Sequence, residues 1–136
     1  MSEKLIDNIK IILCTCGGLI GIIFGGWDKT FQVLIIFITI DYLSGIAASI
    51  CNHKLDSHIG FKGISKKISI LMILAVAVQI DRLMDINSQV VRMTTCFFYI
   101  ANEGLSILEN GNKLGVKYPQ ILKNVLKEMK KNDLHK

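Results

Sequence analysis

Seventeen consecutive residues, Ile11 to Trp27, carry no charge, and between Thr30 and Asn52 the one charged side chain is Asp41. Proline occurs once, at Pro119, so no earlier position is barred by a missing N–H from continuous helix. Charged residues make up 20% of the chain and apolar residues 51%. A soluble domain of 136 residues cannot bury two such runs back to back. As helices they extend roughly 26 and 34 Å, close to the ~30 Å hydrocarbon core of a bilayer. The scarcity of charge excludes a soluble globular fold and predicts an all-α integral membrane protein.

Cys14, Cys16, Cys51 and Cys96 form no C-x-x-C pair and fall in or beside apolar runs, which argues against a disulfide framework or zinc site and favours small packing residues. His53 and His58 sit in a polar stretch and read as solvated. No nucleophile–base grouping, phosphate loop or hydrolase carboxylate pair is present. No enzyme, cofactor or metal is therefore expected. The net charge of +5 suggests nucleic acid in a soluble chain; here it is better read as an orientation signal that also touches anionic headgroups. The first apolar stretch lacks a small-x-small exit, so it is expected to stay as a helix rather than be cleaved.

Four transmembrane helices are predicted, at about 9–26, 31–51, 64–84 and 88–110, forming a domain over 1–110. The third is marginal, with 13 apolar residues from Ile68 to Ile80, Lys66 and Lys67 snorkelling at one end, and Gly60 and Gly63 breaking the loop before it. The fourth is amphipathic and could span or lie on the surface. Residues 111–136 form a basic tail with a short amphipathic helix after Pro119, its apolar face carrying Leu122, Val125, Leu126 and Met129. The lead carries Lys4 and Lys10, the middle loop Lys54, Lys62, Lys66 and Lys67, and the tail seven lysines ending at Lys136. With four spans these 13 of 16 basic residues share one side, and the positive-inside rule puts it, with both termini, in the cytoplasm. Three spans would break the rule.

Candidate functional residues are those that interrupt the apolar runs. Asp41, mid-helix, costs about 2.5–3.5 kcal/mol if ionised toward lipid, so it must face protein or water, or be protonated. Proton coupling, pore lining and a pair with Arg92 are all open. On the fourth helix Arg92, Thr95, Tyr99, Asn102, Glu103, Ser106, Glu109 and Asn110 fall within one arc of about 120°. That arc is a candidate pore or oligomer surface. Gly17, Gly21 and Gly25 form a tandem G-x-x-x-G register, and Gly45 with Ser49 a weaker small-residue pair, suited to close helix packing within or between monomers.

In order along the chain stand Gly25-Gly26-Trp27-Asp28, Asp41-Tyr42-x-x-Gly45, Ser57-x-x-Gly60-Phe61-x-Gly63 with Lys66-Lys67, Gln79-x-Asp81-Arg82, Tyr99-Ile100-Ala101-Asn102-Glu103-Gly104-x-Ser106-Ile107-x-Glu109-Asn110, Leu114-Gly115 and Pro119. Together, over roughly Gly25 to Leu126, they resemble the toxin-secretion and phage-lysis holin family of Gram-positive bacteria and their phages. The resemblance implies a homo-oligomer in the bacterial cytoplasmic membrane. Its lesions would release an endolysin or, in some clostridia, a large toxin, without required direct contact. The family is often drawn with three spans, so four is a departure. Two other readings stay open at this point: a small proton-coupled transporter using Asp41, and an antiholin-type regulator.

Overall fold

A computed structural model describes residues 2–54, 56–85 and 87–134; Lys136, counted above with the tail, lies outside the described residues. Those residues form five helices and no strand: α1 (Ser2–Phe24), α2 (Lys29–Cys51), α3 (Ser57–Leu83), α4 (Val90–Lys113) and α5 (Gln120–Leu134). Each of α1, α2 and α3 is long and apolar enough to cross a membrane. α4 has the length, at 24 residues, but carries Arg92, Glu103, Glu109 and Lys113.

The boundaries follow local chemistry. α1 begins at Ser2 rather than near 9, so the polar lead is helical, and it stops at Phe24 because Gly25 (φ +78°) and Gly26 (φ +118°) turn the chain. Asp28 caps α2, its carboxylate accepting the Phe31 N–H at 2.9 Å. Asp56 caps α3 in the same way through His58 N at 3.2 Å, so the helix starts at Ser57, well before 64. Gly60 and Gly63, read from the sequence as breakers, lie inside this helix and let α2 come close. A Cβ on Gly63 would sit 3.4 Å from the Tyr42 ring.

α2, α3 and α4 form the bundle. α4 runs in the same direction as α2, with Arg92 beside Asp28 at one end and Asn110 beside Gly45 toward the other. It runs antiparallel to α3, with Arg92 against Asp81 and Glu103 against Lys67. Phe31, Leu34, Ile38, Ile70, Leu74, Cys96 and Ile100 fill the core. α5 folds back antiparallel along α4, placing Leu126 on Gly104 and Lys130 on Asn102, with Met129 against the core. α1 leans mainly on α3, with Phe24 at its end stacked on Phe31 of α2, and its residues from Ser2 to Ile20 are exposed.

Lipid is as apolar as leucine, so apolar area alone does not hold such helices together. Close approach and polar pairing decide the packing. The docking of α5 shows the first of these: a Cβ on Gly104 would lie 2.8 Å from Leu126 Cδ2 and 3.2 Å from the Phe37 ring. G104L is expected to lift α5, so that trypsin cuts at Lys123 and Lys127 at about tenfold lower protease, by local opening. G111L, at a position with open space around it, serves as control; equal cleavage of the two variants would count against this packing.

Candidate functional site

Three helices each contribute one charge to the middle of the bundle. Lys67 of α3 donates from Nζ to Asp41 Oδ2 of α2 and to Glu103 Oε2 of α4. Asp41 is 7% exposed, Lys67 9% and Glu103 1%. Asn110, about two turns beyond Glu103 on α4, completes the group. Its Nδ2 donates to Asp41 Oδ1 at 3.1 Å, to the Asp41 carbonyl at 3.2 Å and to Ser44 Oγ at 2.9 Å. A cleft of about 240 Å³, lined among others by Tyr42, Gly63, Lys66, Ser106 and Asn110, opens beside the cluster. One ammonium thus serves two carboxylates where no lipid can, and the buried charges are joined to one another instead of to water.

The second polar centre closes the opposite end of the bundle. Arg92 is fully buried. Its guanidinium meets Asp28 bidentately, Nη1 to Oδ2 at 2.7 Å and Nη2 to Oδ1 at 3.0 Å, and also donates to the carbonyls of Phe24 (2.6 Å) and Gly26 (3.2 Å). The first turn of α4 has no cap of its own at Gln89; Asp81 of α3 supplies one, accepting from Val91 N at 3.0 Å and Arg92 N at 2.7 Å. The Arg92 guanidinium holds the Asp28 carboxyl below the usual carboxylate range. A lowered value means the contact is present throughout neutral pH and is lost only as pH falls through that value.

These placements correct several expectations. Asp41 and Arg92 do not pair: they lie at different levels, and each has other partners. Lys67 does not snorkel to a surface but turns inward, so it is not an orientation charge. Gly25 belongs to no helical glycine face. It lies in the turn after α1, where a Cβ would meet Arg92 Cδ and Nε at 2.8 Å. A Cβ at Gly17 or Gly21 would meet nothing within 4 Å, whereas Gly45 packs against Asn110 at 3.5 Å. The polar arc of α4 divides. Arg92, Glu103 and Asn110 point into the bundle, while Thr95 bonds its own helix at Val91 O (2.7 Å). Tyr99 and Ser106 are half-buried, Asn102 accepts from Lys130 Nζ at 2.8 Å, and Glu109 is exposed. Lys67, Asp28 and Asp81 are not among the site candidates that the sequence marks. No local signal marks Lys67, because adjacent lysines about 100° apart at the mouth of an apolar run can both snorkel.

Residues 18–131 match the bacteriophage holin family. The chain belongs to that family. Among its relatives, a 14.9 kDa protein of Clostridium perfringens is 44% identical over 93% of this chain and 96% of its own length. A Listeria monocytogenes protein is 46% identical over 87% of this chain and 84% of its own. A protein of Bacillus phage phi105 named a probable holin is 35% identical over 71% of each chain. No solved structure matches the chain. Family membership makes this holin-family chain a membrane protein, in agreement with its three long apolar helices.

Removing one partner from a buried cluster costs more than removing the whole. K67M, which strands two carboxylates, is expected to destabilise the protein by about 3–5 kcal/mol in detergent-denaturation measurements. The triple change D41L/K67M/E103L is expected to recover most of that loss. If the triple variant is no more stable than K67M, the cluster is not the unit described.

Proposed function

We propose that this protein is a hole-forming holin: it accumulates in the bacterial cytoplasmic membrane, oligomerises, and opens lesions through which a cell-wall-degrading enzyme or a large toxin leaves. The family match over residues 18–131, on a chain with three helices long and apolar enough to span, carries this reading. Family membership also implies oligomerisation in the membrane. α1 suits the contact between copies. It is apolar from Ile11 to Phe24, packs little within the monomer, and leaves the backbone at Gly17 and Gly21 bare for a second helix.

Four spans with both termini cytoplasmic remain the proposed topology. The connections at 52–54 and 114–119 lie at one end of the bundle, with Lys54, Lys62, Lys113 and Lys117 near them. The opposite end carries Lys29 and Arg82, with Arg92 neutralised by Asp28. This asymmetry survives the loss of Lys67 from the count and has the sign of the positive-inside rule. A transporter coupled through Asp41 is disfavoured, because that carboxylate is already held by Lys67 and Asn110.

Expressed alone, the chain is expected to collapse the membrane potential abruptly after a lag, and with a co-expressed endolysin to lyse the culture. Sustained potential and growth would reject the hole-former and favour the antiholin reading. Cysteine labelling at Val116, in the connection after α4, is expected to report the cytoplasm; an extracytoplasmic signal there would rule out four spans.

A further inference from the structure

The perimeter of the bundle has two kinds of surface. The sides formed by α1, α2 and α3 are apolar: Ile12, Leu19, Ile36, Leu43, Met72 and Val76 are among their exposed residues. The side formed by α5 is mixed: Ile121, Leu122 and Val125 are exposed in its first half, but polar and charged residues hold most of its outer face. With Leu126 and Lys130 turned to α4, helical spacing sends Asn124, Lys127, Glu128 and Lys131 to the opposite face, and all four are exposed. This face also runs deep along α4. Lys130 is bonded to Asn102, which lies about 16 Å along α4 from Lys113 at 1.5 Å per residue, roughly half a hydrocarbon thickness. Lysine stems can reach toward an interface from such a depth, but Asn124 and Glu128 are too short to do so. Wherever α2, α3 and α4 cross the membrane together, the outer face of a docked α5 has to meet water.

We infer that the outer face of α5, centred on Asn124, Lys127, Glu128 and Lys131, is the water-facing wall of the lesion, and that α5 stays docked on α4 when the lesion opens. The inference rests on the hole-forming reading above and moves the wall from the arc of α4, whose charges are consumed within the monomer, to the helix that covers it. Each copy then presents an apolar side to lipid and neighbours and a polar side to the lumen, so closing a ring of copies encloses water.

The test uses the full chain with its native cysteines replaced (C14A/C16A/C51A/C96A), reconstituted in dye-loaded vesicles of phosphatidylethanolamine and phosphatidylglycerol. An environment-sensitive fluorophore is attached through N124C, K131C or, on the apolar side, V76C. During dye release, aqueous iodide is expected to quench the labels at 124 and 131 about fivefold more than that at 76, and acyl-chain nitroxides are expected to do the reverse. Dye release with the label at 131 quenched from the acyl chains overturns the inference. A second variant, G104C/L126C, fixes α5 to α4 through a disulfide where the two helices touch. It is expected to release dye at the unlocked rate; release that appears only after reduction would mean α5 has to leave, and also overturns the inference. Vesicles of the parent chain that retain their dye reject the hole-forming reading itself.

Discussion

A single ammonium, that of Lys67, is shared by carboxylates from two other helices, and the bundle is organised around that constraint. Charges in an apolar interior are tolerated only when joined to one another, so α2, α3 and α4 cannot rotate or slide without leaving one of the three exposed to hydrocarbon. Apolar packing supplies no such discrimination between helices already in lipid. Leu34, Leu74 and Ile100 would be about as content against acyl chains as against each other. The ion cluster therefore sets the register, and the apolar core fills around it.

The same logic operates at the other end with different parts. Arg92 ties the α1–α2 turn to the start of α4, and Asp81 ties the start of α4 to the end of α3. Asp28 does double duty, capping α2 and receiving the guanidinium. The bare backbone at Gly25 makes room for this arginine, which a side chain at that position would displace. With α4 held by charge at its start and at its middle, an amphipathic helix becomes the centre of the bundle rather than a strip on its surface.

For a hole-forming protein this arrangement separates two tasks. The polar groups of α4 are paired within the monomer, and on the proposed reading the contacts between copies and the aqueous face fall to the helices at its flanks. α1 offers an apolar, glycine-bearing surface, and α5 one whose outer face carries Asn124, Lys127, Glu128 and Lys131 beside Ile121. A membrane chain benefits from keeping its most expensive charges satisfied internally.

Much of the fold was legible residue by residue. The uncharged run from Ile11 to Trp27, the run around Asp41 and the pattern from Leu122 to Met129 are local signals, and each marks a helix in the structure. Gly60 and Gly63 misled, because a glycine that breaks an isolated helix is equally a glycine that lets two helices touch, and only the presence of Tyr42 distinguishes the cases. The candidate site was legible as a set of residue types but not as a set of pairs. Asp41, Arg92 and Glu103 stand out as charges in apolar surroundings, whereas Lys67 looks like one more lysine at a helix mouth. The sequence by itself determined that this is an all-helical membrane chain and which of its charges are out of place. The tertiary structure alone decided which charge meets which, because pairing depends on the rotation and relative height of helices far apart in the chain, and no local periodicity carries that information.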